Sequence, residues 1–245
     1  MDDSIPTGRL FPTPLHVHVI TAIPTQASVL AVHVGRARPL GTEGVPSGFV
    51  KDAVKGPVSV RSLGLEGDQQ ADLRVHGGVD KAVYGYPVSN YEGWRADFPE
   101  HAAQFVAGAV GENLVIARLD EGSVCIGDLH EIGTARLCVC QPRQPCFKLA
   151  LRFGDERIVQ AMVRNGRCGW YYRVLQEGEV RPGDPLRRVE RPNPNWTIAR
   201  FVALASRRGF SETEWRELAN LEGLAASWQE RAQRRGSHAQ GLIDA

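Results

Sequence analysis

The 245-residue sequence predicts a mainly β protein, in which a β-barrel with a few helices is followed by a small domain of three helices. Three observations predict this fold class. Short apolar runs separated by turn residues fill the chain from about residue 29 to residue 189. The 26 glycines and 15 prolines lie between such runs, as in a fold with many turns. A polar stretch with two prolines, at residues 191–195, then precedes sequence with helical periodicity.

The predicted strands are the apolar runs that glycine, proline, aspartate or asparagine bound on both sides. They cover residues 29–34, 58–60, 82–86, 113–116, 129–132, 137–140, 170–175 and 185–189. A series of short strands with regular turn signals is typical of a closed or nearly closed barrel.

Two helices are predicted within the strand series. Asn90 is expected to cap the first, in which Tyr91, Trp94 and Phe98 recur at helical spacing. The second runs from about residue 155 to an Asn-Gly pair at residues 165–166, which ends it. Its expected apolar face consists of Ile158, Val159, Met162 and Val163.

The sequence divides into a flexible tail (residues 1–14), a barrel domain (residues 15–191) and a three-helix domain (residues 192–245). Gly209 is expected to end the first of the three helices, and Ser211 with Glu214 forms a capping box for the second. Trp228 lies on the third helix. Because a segment this short cannot bury a core alone, we expect these helices to pack on the barrel or on a partner chain, as in a homodimer.

Composition excludes several classes of function. A formal net charge of +1 gives no general attraction to nucleic acid, and glutamates offset the arginines of the last helices. The absence of a long apolar run or a signal peptide predicts a cytoplasmic protein with no membrane association. Five cysteines cannot all pair within one chain, so we expect free thiols in a reducing compartment.

The first candidate site is the segment at residues 141–148, which directly follows a predicted strand. Pro142 and Pro145 fix the path of the chain there. Cys146 comes next, and the positive charges of Arg143 and Lys148 favour a thiolate. Such a thiolate could act as a nucleophile or as a soft metal ligand. The alternative is a buried structural cysteine at the start of a helix.

The second candidate comprises residues 64–72 and 76–83, where Gly-Asp and Gly-Gly pairs allow tight turns whose N–H groups can face an anion. Arg74, His76 and Lys81 add donors. The segment could hold a phosphate or a polar ring, and the alternative is a surface hairpin with charged turns.

The third candidate is the triplet Gly111-Glu112-Asn113. Asn113 can both donate and accept hydrogen bonds, which suits a pterin edge. Glu112 could orient a basic neighbour or transfer a proton. A turn that starts a strand is the alternative.

In this order, the motifs resemble those of the MOSC domain proteins, and in particular the YiiM-like branch. The resemblance spans about residues 29–190, and the C-terminal helices resemble the three-helix domain of that branch. It rests on the stretches GLEGDQQAD, RVHGGVDKAV, VGENL, QPRQPCFKL and NGRCGWYYRVL. The HGG and PRxPC motifs are far more specific together than either is alone.

The resemblance implies a MOSC-type β-barrel that binds molybdenum cofactor (molybdopterin), with Cys146 as metal ligand. It also implies detoxification by reduction of N-hydroxylated compounds, such as N-hydroxylated purine base analogues, and the pyridoxal phosphate binding attributed to the family as a whole. The implied catalytic residues are Cys146, His76 and Glu112. The implied cofactor-binding residues are Arg74, His76, Gly77, Gly78, Lys81, Asn113 and Arg143.

The sequence leaves two functions open. As a molybdenum-dependent oxidoreductase, the protein would need a separate electron-donor protein, since the chain has no Rossmann, flavin or iron–sulfur motif. As a sulfur carrier or cofactor-delivery protein, it would hold a persulfide on Cys146 and would not itself be a catalyst.

Overall fold

A computed structural model describes residues 26–72 and 76–240. Its strands are β1 (Gln26–Val34), β2 (Arg38–Leu40), β3 (Val45–Ser47), β4 (Asp52–Val54), β5 (Val58–Arg61), β6 (Gly64–Leu65), β7 (Val83–Pro87), β8 (Leu114–Ala117), β9 (Leu129–Ile132), β10 (Ala135–Pro142), β11 (Trp170–Gln176), β12 (Gly178–Val180) and β13 (Pro185–Glu190). Its helices are α1 (Asn90–Asp97), α2 (Phe147–Phe153), α3 (Arg157–Asn165), α4 (Ile198–Ala203), α5 (Glu212–Ala219) and α6 (Ala226–Gln240).

Seven strands form a closed barrel in the order β1-β13-β9-β10-β11-β7-β8. The barrel closes because β13 pairs with β1 as well as with β9. Neighbouring strands are antiparallel except for β7 and β8, which run parallel. An eighth strand, β4, adds to the end of β1. The predicted mainly β fold with a barrel, a few helices and three C-terminal helices is therefore confirmed.

Each predicted strand overlaps a strand of the structure, and all but one of them belong to the barrel. The exception in placement is the segment at residues 58–60, which belongs to β5 in a separate sheet with β6 and β12. In β5, Val58 and Val60 are buried and Ser59 between them is not, the alternation expected of a strand with one buried face. That alternation gives the orientation of a strand's side chains but not the partner that it pairs with.

Three helical details differ from prediction. Asn90 is the first residue of α1 rather than its cap, because its amide donates to the Glu121 carboxylate at 2.8 Å. Val163 is 40% exposed, and the buried face of α3 is Ile158, Ala161 and Met162. The short helix α2 was not among the predicted elements.

The three-helix domain packs on the barrel, as expected. Its capping box at Ser211 and Glu214 is present. Buried aromatic rings hold its helices together, with Trp228 lying edge-on to Phe201 at 4.8 Å between ring centroids. The backbone of Trp196 accepts a hydrogen bond from Ile126 in the barrel domain at 2.9 Å.

The tail predicted for residues 1–14 lies outside the described residues, and so does the predicted start of the barrel domain. The exact domain boundaries stay a prediction. In the part of the chain that the structure describes, each helix is too short or too polar to traverse a lipid bilayer.

Candidate functional site

The three candidate segments meet at one cavity near the end of the barrel. It has a volume of about 640 Å³, part of which is open to solvent. Its wall contains Gly77 from the glycine-rich segment, Asn113 from the GEN triplet and Cys146 from the proline-bounded loop. The barrel thus brings together residues that are remote in sequence.

Cys146 lies at the cavity because the chain leaves the barrel along a fixed path. The strand β10 ends at Pro142, which still pairs with Trp170 of β11. Cys146 is the N-cap residue of α2 and has an extended backbone. It is half-buried, whereas the other four cysteines are buried. Cys146 therefore does stand at the start of a helix, as the alternative of a structural cysteine supposed. It is not fully buried, however, and it lines the cavity.

The wall of the cavity is rich in basic groups, and among the described residues it contains a single carboxylate, that of Asp68. The basic residues of the wall are Lys51, His76, Lys81, Arg143 and Lys148. Such a concentration of positive charge, in a protein whose net charge is only +1, is suited to binding an anion.

Arg143 is the clearest sign of an anion site. The residue is 5% exposed, and its guanidinium lies 5.6 Å from the ring centroid of Tyr84 and 5.8 Å from that of Phe49. One guanidinium nitrogen contacts the sulfur of Met162 at 3.3 Å. Among the described residues no carboxylate pairs with Arg143. Since a buried charge without a counter-charge is costly, an anion in the cavity would supply the missing partner.

His76 lies among these cations in the cavity wall. Burial lowers the pKa of His76, and the charges of Lys148, Lys81 and Arg143 lower it further. Its backbone N–H donates to the Asp72 carbonyl at 2.9 Å. A neutral ring can both donate and accept one hydrogen bond, so it suits a polar ligand that also binds the surrounding cations.

The glycines after His76 have different positions relative to the cavity. Gly77 has a φ of +82° and lines the wall, where an added Cβ would lie 3.2 Å from the Gln70 side-chain oxygen. Gly78, with a φ of +84°, is exposed and is not part of the wall. Arg74 falls outside the described residues, so its predicted role stays a prediction.

The side chain of Asn113 forms its hydrogen bonds with other groups of the protein. Its side-chain oxygen accepts from the Tyr84 N–H at 3.0 Å, and its amide nitrogen donates to the His33 carbonyl at 3.1 Å and to Asp68 at 3.0 Å. Both amide protons are therefore used. Asn113 lies in the cavity wall, and its predicted contact with a pterin edge stays a prediction.

Glu112 also forms hydrogen bonds within the protein. Its fully buried carboxylate accepts hydrogen bonds from the Tyr91 hydroxyl and from the N–H groups of Gly108 (2.6 Å) and Val110 (3.1 Å). Burial raises its pKa. Among the described residues, Glu112 is not part of the cavity wall, and its predicted proton transfer stays a prediction. Glu112 supports the turn that carries Asn113.

A buried ion pair in the wall was missed by sequence reasoning. The Asp68 carboxylate binds the Lys51 ammonium, and the two side chains are 1% and 7% exposed. Asp68 also accepts from the Gly35 N–H at 2.9 Å. Burial lowers the pKa of Lys51, and the neighbouring Asp68 opposes that shift. The Gly67-Asp68 turn was a visible signal, but nothing in the sequence around Lys51 marks it.

A second group of potential metal ligands, Glu100, His101 and Asp155, lies near the start of α3. Arg157 binds the carboxylates of both Glu100 and Asp155 at 2.6 Å. The Arg157 guanidinium thus supplies the positive charge between these carboxylates, and the group is an ion-pair network.

Comparison with known proteins identifies the family of both domains. The family model of the MOSC domain matches residues 72–187, and that of the YiiM-like 3-alpha helix domain matches residues 196–238. Protein YiiM of Escherichia coli is 40% identical over 193 residues, which cover 79% of this chain and 86% of that protein. A protein named "Reductase" from Gibberella moniliformis is 37% identical over 79% of this chain, which spans 35% of that longer protein. The crystal structure of YiiM from Geobacillus stearothermophilus has a TM-score of 0.73 and 33% identity over 86% of this chain and 99% of that one.

Proposed function

The chain belongs to the YiiM-like group of the MOSC domain family, and on this premise we propose that it is a cytoplasmic, molybdenum cofactor-dependent reductase of N-hydroxylated compounds. One observation carries the proposal. The buried Arg143 cation, for which the described residues offer no carboxylate partner, and the half-buried Cys146 thiol lie in the wall of one cavity.

These residues fit the cofactor. The Cys146 sulfur would be a soft ligand, which suits molybdenum that already carries the sulfur ligands of its pterin. Arg143, Lys81 and Lys148 would meet the cofactor phosphate, and Arg143 can donate two parallel hydrogen bonds to it. Gly77 leaves room for close approach of the ligand to the backbone.

The proposed reaction is the reduction of an N–OH group. The N–O bond breaks, two electrons and two protons are consumed, and an amine and water leave. The bound cofactor would supply the two-electron chemistry, and a separate electron-donor protein would replenish the electrons. Lys51 Nζ holds a proton at the cavity against Asp68, and its lowered pKa favours release of that proton.

A sulfur carrier is the second candidate, and the same thiol favours it. Cys146 is the one cysteine that is not buried, so it is the one that can react with an external sulfur donor. In that case the Cys146 thiolate would attack the outer sulfur of a donor persulfide, the S–S bond of the donor would break, and the donor thiolate would leave. Cys146 would then carry the persulfide, and the cations of the wall would bind an anionic acceptor for a short time.

The test is the molybdenum and pterin content of protein from a cofactor-competent host. Wild type, Cys146→Ala and Cys125→Ala are compared, since Cys125 is a buried thiol outside the cavity wall. We expect about one molybdenum per chain in wild type and in Cys125→Ala, loss of it in Cys146→Ala, and turnover of an N-hydroxylated base with an artificial electron donor. Wild type without molybdenum, or with pyridoxal phosphate in place of a pterin, would overturn the proposal. A labile persulfide on Cys146 would then favour the carrier.

A further inference from the structure

The segment from His76 to Lys81 contributes three residues to the cavity wall but has little packing of its own. The short turn Val79–Lys81 buries none of its residues, and Val79 is 52% exposed. Gly78 has open space around its Cα. With so few apolar contacts, hydrogen bonds must fix the position of this segment.

Asp80 provides those bonds. One carboxylate oxygen accepts from the Arg173 Nε at 2.7 Å. The backbone oxygen of Asp80 accepts from the Gln141 side-chain amide at 2.8 Å and from the Cys140 thiol at 3.0 Å. Strands β10 and β11 thus hold the segment from the barrel side.

The other carboxylate oxygen of Asp80 binds the three-helix domain. It accepts from the backbone N–H of Ala226, the first residue of α6, at 2.8 Å. An acidic group at this position is stabilised by the unpaired N–H groups and by the positive end of the helix dipole. Asp80 therefore caps α6 from the barrel, across 146 residues of sequence.

The turn before α6 makes two further bonds at the same place. Arg173 also donates to the Leu224 carbonyl at 3.2 Å, and the Ala225 N–H donates to the Cys140 carbonyl at 3.0 Å. Leu224 and Ala225 are 1% and 0% exposed, so the turn is firmly embedded. Cys140 lies on β10, which leads directly to the Cys146 loop.

We propose that the three-helix domain is a positioning element of the cavity. Through Asp80 the start of α6 fixes the segment that carries His76, Gly77 and Lys81, and through Cys140 it braces the strand that leads to Cys146. The domain itself contributes no side chain to the cavity wall among the described residues. Asp80 is a positioning residue, since it acts through Lys81 and His76.

The variant Asp80→Asn tests this inference, because it keeps the size of the side chain and removes its charge. The matched control is Asn193→Ala, which removes side-chain bonds to the Ile126 and Glu222 carbonyls, both 2.9 Å, and leaves the bonds of Asp80 to Arg173 and Ala226 in place. Amide hydrogen exchange over residues 76–82 is measured for both variants and wild type, together with the affinities for inorganic phosphate and molybdate and the melting temperature.

We expect exchange over residues 76–82 to become about tenfold faster in Asp80→Asn, and anion affinity to fall by about tenfold, with less change in the control. Arg173→Lys retains a charge against Asp80 and should restore part of the protection relative to Arg173→Gln. Unchanged exchange at residues 76–82, or equal acceleration throughout the barrel, would overturn the inference. The affinity measurement rests on the proposed function, but the exchange measurement does not. A wild type that binds neither anion would therefore count against the proposed cofactor site alone.

Discussion

The Asn113 amide donates a hydrogen bond to the Asp68 carboxylate across 3.0 Å, and in doing so holds the only acidic group of the described cavity wall in place. Asp68 in turn holds Lys51. The two residues are 45 positions apart and belong to different sequence motifs. Their contact makes the GEN triplet a support of the site.

Replacing Asn113 with alanine should therefore act on folding. The change leaves the Tyr84 N–H and the His33 carbonyl without a partner, so we expect a loss of about 2 kcal/mol in the free energy of unfolding. Urea unfolding followed by tryptophan fluorescence measures it. Asn195→Ala, at an exposed position, is the control, and equal unfolding midpoints for the two variants would contradict the prediction.

Arg143→Met should weaken anion binding and yet stabilise the anion-free protein. The side chain is buried, and no carboxylate of the described residues pairs with it. Replacing such a group with an apolar one of similar length removes a desolvation cost of about 1–4 kcal/mol. Thermal melts with and without phosphate should show a higher melting temperature without phosphate and a smaller phosphate-dependent rise than in wild type. Arg136→Met, at an exposed ion pair with Glu131, should shift neither quantity appreciably. A lower melting temperature of Arg143→Met without phosphate would refute the prediction.

His130 should make the protein sensitive to acid. It is fully buried, and burial with help from Arg191 and Arg188 lowers its pKa to about 3, against 6.5 in the unfolded chain. Between these values the unfolded state binds more protons, so stability is present above pH 6.5 and falls as the pH falls toward 3. We expect this group to account for ~2 kcal/mol of the stability lost between pH 7.5 and pH 5.

The measurement is the free energy of unfolding at both pH values for wild type and His130→Gln. Glutamine does not titrate and can still bond the Tyr172 hydroxyl, which lies 2.9 Å from His130 Nδ1. The variant should lose less stability on acidification than wild type. An identical loss in both proteins would assign the acid sensitivity to other groups.

Gly127 should be essential for docking of the three-helix domain. Its φ is +83°, and an added Cβ would lie 2.6 Å from the Glu222 carbonyl oxygen. Gly183 has a similar φ of +93° but open space around it, so Gly183→Ala measures the backbone strain alone. We expect Gly127→Ala to be destabilised by about 2 kcal/mol more than Gly183→Ala. Faster proteolysis of the 191–195 linker should accompany that loss, and equal behaviour of the two variants would exclude the clash.

Much of the barrel could be predicted from sequence. Its strands follow from short apolar runs bounded by turn residues, because strands such as β7 and β8 are buried along nearly their whole length. The capping box at Ser211 and Glu214 was equally visible, since both of its bonds are local. Cys146 could likewise be singled out as a candidate site residue from local sequence, because two prolines fix the path of the chain before it.

The roles that sequence leaves undecided belong to residues that depend on distant partners. Asn113 and Glu112 carry suitable chemistry for a ligand, but other parts of the chain use their polar atoms. The sequence around Lys51 gives no sign of its buried pairing with Asp68. The strand β5 has the pattern of a barrel strand and yet pairs outside the barrel.

By itself, then, the sequence determined the barrel strands, the helices after residue 195 and the motifs that mark the family. The tertiary structure decided which polar groups face the cavity, and it joined Asp80 to Ala226 across the two domains. The physical reason is that backbone conformation and the periodicity of burial are set by near neighbours. The partner of a buried charge or amide is set only when the barrel closes and the helices dock on it.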